Sequence, residues 1–422
     1  MNETFDVVVV GGGPGGSSAA IFLADGGLRV ALFERERFPR FHVGESLMPA
    51  TMLVLEQLGA RSAIEERGFQ IKYGASFHDE ESDTAQTFYF LPGMPWPNYS
   101  YEVPRAEFDT VLLDHAMKRG VTVYQPATVE GTEFDARGVT VSATTESGRQ
   151  SVRAAMLVDA TGRAAFMASR VGTRRRIPNL GKVALFAHYR GAARRPGLEE
   201  GNIRIYVFTE GWIWWIPLAN DLTSVGAVCH GRTVKAWSGT LEGLHDAMVA
   251  KSRGVSANLA GAVRVTPVHR ESNFSYDNAP VVGDRFVAVG DAIAFVDPIF
   301  SGGVYIALRT GQLAAEAIHE AFRAGDFSAR RFSRYERRVR TGLAPLFAFI
   351  HKYYEPAFFD LLMHPRNYFG IYEAVLNVLS GGNWVIRPWR VRVALRILYA
   401  IARVKTWVRR RAGLPVESRL EW

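Results

Sequence analysis

Gly11-x-Gly13-x-x-Gly16 lies between the valine-rich run Phe5–Val10 and the small-residue stretch Ser17–Ala24. Between a strand and a helix, each glycine has a task. Gly11 permits a tight turn, Gly13 lets a pyrophosphate approach the backbone, and Gly16 lets helix and strand pack closely. The N–H groups at the helix N-terminus then hold the anion. Glu34 closes the next strand, where an acid reaches the ribose hydroxyls of a bound adenosine. Trp212 and Trp214 alternate in Trp212-Ile213-Trp214-Trp215-Ile216-Pro217, so they share one strand face and by themselves read as core. Ser301-Gly302-Gly303 precedes a helical stretch and offers a second set of backbone N–H groups to an anion. The single cysteine, Cys229, excludes an intramolecular disulfide and a cysteine-based metal cage, and no metal site is expected.

These residues need an α/β frame. Phe5–Val10, Ser17–Ala24 and Arg29–Glu34 form a βαβ unit. Residues 74–104 are β-rich, Ala106–Arg119 reads as a helix, and Val121–Tyr124, Val139–Thr144 and Ser151–Val158 read as strands. Alternation dominates from Lys182 to Cys229, as in an antiparallel platform. Arg285–Val289 and a helix from about Gly303 to Phe322 return to α/β. The fold expected is a Rossmann-type nucleotide-binding domain (1–72, 100–170 and 275–330) with an inserted antiparallel β-sheet substrate domain (73–99 and 171–274). A helical C-terminal region, 331–422, follows.

The net charge of +8 is concentrated. Arg387 to Arg411 holds nine basic residues and no acidic one, which leaves the rest near neutrality, so nucleic-acid binding is not expected. Arg392, Arg396, Arg403 and Arg410 fall on one helical face. Three readings of 387–411 stand open: peripheral contact with an anionic membrane, a dock for an acidic acyl carrier protein, or a helix packed on the body with its arginines in solvent. The N-terminus lacks a basic n-region, and a cytoplasmic location is expected, at the inner membrane face if the first reading holds.

The ordered segments resemble FAD-dependent monooxygenases of the p-hydroxybenzoate hydroxylase-like group. Val103-Pro104-Arg105-x-x-Phe108-Asp109 is similar to the segment whose arginine approaches the flavin and its ribityl-phosphate chain. Leu157–Arg163 is similar to the group's strand end and turn. Val289-Gly290-Asp291-Ala292 is similar to the motif whose carboxylate accepts a ribityl hydroxyl. The cofactor implied is FAD, and no second GxGxxG is present for NAD(P)H.

Within that group, Trp212–Pro217 fits the WxWxIP pattern of flavin-dependent halogenases. Phe295-Val296-Asp297-Pro298-Ile299-Phe300-Ser301-Gly302-Gly303 resembles their second signature, with Pro298 beside the flavin and Ser301, Gly302 and Gly303 taking the halide. Lys72 sits where the family's catalytic lysine lies, downstream of Gly44-Glu45-Ser46-Leu47-Met48-Pro49. The resemblance, from about residue 5 to 350, implies that FAD reduced by a separate flavin reductase works with oxygen and chloride or bromide. Hypohalous acid then travels to Lys72, which directs electrophilic halogenation. The resemblance also implies that Trp212 and Trp214 keep the organic substrate away from the flavin. The branch indicated acts on phenols, or on pyrrole and aryl groups tethered to carrier proteins. Tryptophan halogenases carry a glutamate where this sequence has Phe300, which argues against free tryptophan. The alternatives are an aromatic monooxygenase, a geranylgeranyl-reductase-like flavoprotein, and a flavin-carrying docking protein without turnover.

Overall fold

The computed structural model describes residues 4–177, 181–272, 274–382, 384 and 389–416. Strand Thr4–Val10 lies at the centre of a largely parallel sheet, between Val30–Phe33 and Gly148–Asp159. Phe286–Ala288 extends the sheet on one side and Thr122–Tyr124 on the other. Val7 to Val10 are all buried, as expected of a strand covered on both faces. Helix Pro14–Asp25 packs on the long helix Gly303–Ala324. They meet so closely that a Cβ at Gly311 would lie 2.5 Å from the Gly15 carbonyl oxygen. The hairpin Ala127–Asp135/Gly138–Thr145 hangs from Gly148–Asp159.

A second sheet orders Val263–Arg264, Lys182–Arg190, Leu222–His230, Gly211–Pro217, Ile203–Phe208, Gly74–Asp79 and Thr84–Tyr89. It is antiparallel except where Ile203–Phe208 runs parallel to Gly74–Asp79. Strands so far apart in sequence need no hairpin, which frees their direction. Trp212 and Trp214 face the core shared with the first sheet, whereas Ile213 and Trp215 face a separate core with Leu244, Met248 and Val255 from helices Leu241–Ala250 and Arg253–Asn258. A two-stranded ladder, Gln70–Lys72 with Ser100–Glu102, lies apart from both sheets.

Helices Ala329–Tyr353, Pro356–Met363, Ile371–Leu379 and Trp389–Arg411 form the C-terminal layer. The last packs on the two before it and buries Ala394, Leu395, Leu398 and Ala402. The sequence's basic segment is thus docked on the body, with Arg392, Arg396, Arg403 and Arg410 exposed. Arg387 lies outside the described residues. Among these residues, no helix is long and apolar enough to cross a membrane.

Candidate active site

One cavity of about 360 Å³ begins at the glycine turn and ends at the tryptophan strand. Gly11, Gly13, Glu34 and Arg105 line it, as do Asp291, Pro298, Trp212, Trp214 and the Ser301–Gly303 segment. Gly11 has φ +106, and a Cβ there would lie 2.3 Å from the Ala160 carbonyl oxygen. Gly16 does not line the cavity. Its place is in the packing, since a Cβ would lie 1.8 Å from the Gly11 carbonyl oxygen. At Gly13 the nearest atom to an added Cβ is Arg40 Nη2, at 3.6 Å, so the backbone there opens onto free space. The Glu34 carboxylate accepts hydrogen bonds from the Gly12 N–H (2.7 Å) and the Glu36 N–H (2.9 Å), which pins it beside the turn.

Arg105 is buried and held in a fork by Asp109, at 2.8 and 3.0 Å, while its Nη1 donates to the Val43 carbonyl at 2.7 Å. Arg40 adds a second cation at 2.9 Å from Asp109. These cations hold the Asp109 carboxyl below its ordinary value despite burial. Asp291 is pushed up to about 6 by burial, against the pull of Arg105 and Arg163. A glycine opening, a buried carboxylate and a paired arginine along one cavity suit a dinucleotide with a polar linker. FAD fits these residues.

At the far end, Trp214 donates from Nε1 to Ser224 Oγ at 3.1 Å, and its ring lies 6.0 Å from that of Trp212. A Cβ at Gly226 would lie 2.1 Å from the Trp214 ring, so glycine makes room for the indole. The Pro298 turn places Ser301 at φ +58, just before helix Gly303–Ala324. The Ser301 N–H donates to the Pro298 carbonyl at 2.9 Å and is therefore not free for an anion. The Gly302 and Gly303 N–H groups have no acceptor among the described residues. Phe300 is packed among Phe77, Phe349 and Tyr353.

Lys72 does not line this cavity. It is 2 % exposed and lies behind Ser46, which does line it. Lys72 Nζ donates to Ser46 Oγ at 2.5 Å and lies 3.7 Å from Glu102 Oε1. Both Glu102 oxygens are buried without a hydrogen-bond partner among the described residues. Burial lowers the Lys72 ammonium below its ordinary value, and burial raises Glu102 to about 8 although Lys72 opposes it. On the other side Glu45 accepts from His188 Nε2 at 2.7 Å. That bond raises His188 although burial works against it. Sequence reasoning missed Glu102, and it quoted Glu45 and Ser46 without a role. The adjacency of Glu102 to the Val103-Pro104-Arg105 motif was the one local signal.

The family profile "Tryptophan halogenase" matches residues 6–96 and 92–357. A 1H-pyrrole-2-carbonyl-[peptidyl-carrier protein] chlorinase of Pseudomonas fluorescens is 34% identical over 378 residues, covering 84% of each chain. The corresponding brominase of Pseudoalteromonas luteoviolacea is 29% identical over 400 residues, 93% of this chain and 96% of its own. Among solved structures, the myxobacterial chondrochloren halogenase superposes with a TM-score of 0.80 at 30% identity, covering 94% of this chain and 97% of that one.

Proposed function

The chain belongs to the tryptophan halogenase family and is a flavin-dependent halogenase, and we propose that its substrate is an electron-rich ring, pyrrole or phenol, tethered to a carrier protein. The names of the chlorinase and brominase relatives support the tether and the pyrrole. We propose further that a separate reductase delivers the reduced flavin. The observation that carries the reading is the continuous cavity from Gly13 to Trp214, with buried Lys72 one serine hydroxyl behind its wall.

When bound, reduced FAD supplies, with oxygen, the oxidising power that turns halide into hypohalous acid. The chain's residues do the rest. Gly13 gives the pyrophosphate its approach, and Glu34, Arg105 and Asp291 orient the dinucleotide along the cavity. Gly302 and Gly303 N–H groups hold chloride or bromide at a helix N-terminus. Trp212 and Trp214 wall off the organic substrate. Lys72, its ammonium disfavoured by burial, presents a neutral amine that bonds to the halogen of hypohalous acid and releases water. The ring takes the halogen from that nitrogen and loses one proton. Glu102, in the ionised form reached as pH rises towards about 8, receives this proton and returns it to the lysine amine nitrogen.

The test is the purified protein with FAD, a flavin reductase, NADH, oxygen and bromide or chloride, on free and carrier-bound pyrroles and phenols, read by mass spectrometry. A halogen isotope pattern that vanishes in Lys72→Ala is expected. A product that gains oxygen alone overturns the reading.

A further inference from the structure

Helix Trp389–Arg411 leaves an apolar row uncovered after it docks. At about 100° per residue, Trp389, Val393, Ile401, Val404, Trp407 and Val408 lie within roughly 120° of one another. Each is between 39% and 64% exposed. The row flanks the docked face of Ala394, Leu395, Leu398 and Ala402, with Ile401 next to Ala394 and the two tryptophans on the opposite side of the helix. Beside it runs a second row, Arg392, Arg396, Arg403 and Arg410, all exposed and without an acidic partner among the described residues. No acid lies on the helix itself. The two tryptophans stand at the border between the rows, about 27 Å apart along the axis. At the helix ends the guanidinium of Arg390 lies 5.7 Å from the Trp389 ring centroid, and that of Arg411 lies 4.1 Å from the Trp407 centroid.

We propose that this helix is a docking face for an anionic lipid surface, on which it lies flat. The apolar row enters the acyl boundary, the tryptophans settle at headgroup depth, and the arginine row meets the headgroups. A straight row of this length, with charge along one edge, matches a plane. A compact acidic protein would be met by the arginines alone and would leave the valines and tryptophans in water.

The full chain is sedimented with vesicles of phosphatidylcholine, and with vesicles in which part of that lipid is phosphatidylglycerol. Binding to the anionic vesicles alone, weakened by salt, is expected. Each arginine neutralised should weaken partitioning about fivefold, so Arg392→Gln/Arg396→Gln/Arg403→Gln should lose about a hundredfold. Val404→Glu/Trp407→Glu should abolish binding. Both variants should load FAD and keep the wild-type Tm within a few degrees, which shows that they fold. No partitioning to anionic vesicles overturns the proposal, as does unchanged partitioning of the variants. So does a wild-type dimer that Val404→Glu/Trp407→Glu dissociates, since a second copy would then cover the row. A raised KM for carrier-bound substrate in the arginine variant, without vesicle binding, assigns the face to an acidic protein and overturns it too.

Discussion

Glu102→Gln keeps the side chain's shape and removes a carboxyl that burial raises to about 8, so a negative charge is lost only where that carboxyl is ionised. Glu102 lies 3.7 Å from Lys72 Nζ, and the two are 0% and 2% exposed. Where both groups are charged, the attraction at this distance is about 4 kcal/mol at an effective dielectric of about 20. The direction follows from the charges. An anion at Glu102 favours the ammonium, so its removal lets Lys72 lose its proton at lower pH. The neighbouring Glu45 does not replace it, because its carboxylate is bonded to His188, and Ser46 is uncharged. Wild-type halogenation should rise with pH through about 8, as Glu102 ionises and can take the ring proton, and Glu102→Gln should lose that rise. It should also plateau about a hundredfold or more below wild type, because the ring proton has lost its acceptor. The assay is kcat for halogenated product against pH, with free hypohalous acid measured in parallel by a scavenger. FAD binding and hypohalous acid release should persist, KM should change little, and Glu102→Asp should restore part of the rate. Turnover of Glu102→Gln within about threefold of wild type, on the same pH profile, would refute the assignment.

Lys72→Ala should abolish halogenated product while FAD loading and hypohalous acid release continue; retained regioselective product sinks the role given to the lysine. Gly13→Val fills the cavity without straining a backbone at φ −66, so it should block FAD loading and leave the apoprotein's Tm within a few degrees. A yellow, fully loaded variant contradicts this. Asp291, pushed up to about 6 by burial, should strengthen FAD binding as pH rises through about 6 and the carboxylate forms. Asp291→Asn should flatten that dependence and weaken binding about tenfold or more above it; coincident titrations by flavin fluorescence argue against the contact. Gly226→Val meets the Trp214 ring and should cost about 1–3 kcal/mol by denaturant unfolding.

The glycine turn, its flanking strands and helix, and the shared face of Trp212 and Trp214 were legible because they depend on neighbours within a few residues. Lys72 had no such signature. Its burial comes from Gln70–Lys72 pairing with Ser100–Glu102, some thirty residues away, and from the Ser46 bridge to Glu102. The buried helix Ala50–Gln57, with Ala50, Thr51, Met52, Val54 and Leu55 inside, carries no clear polar face, so periodicity did not reveal it. Helices Leu241–Ala250 and Arg253–Asn258 did announce themselves through caps, Thr240 accepting from Gly243 at 3.1 Å and Ser252 from Val255 at 3.0 Å. The Ser301 N–H was misjudged: three consecutive small residues look alike in sequence, but the Pro298 turn consumes the first donor and leaves the next two.

That division of donors bears on how the two halves of the site cooperate. The cavity ends at the Gly302 and Gly303 N–H groups and the two indoles. Lys72 lies outside it, behind a serine hydroxyl. On the proposed function, a halide oxidised at the cavity end would leave as a small neutral molecule to reach the amine, with the ring being halogenated on the lysine side. The arrangement separates the oxidising step from the organic substrate by packing alone. On that reading the rate of product formation depends on the polar cluster of Ser46, Lys72 and Glu102, and the supply of oxidised halogen on the cavity. Variants in the two places should accordingly fail in different ways, one releasing hypohalous acid without product and the other making neither.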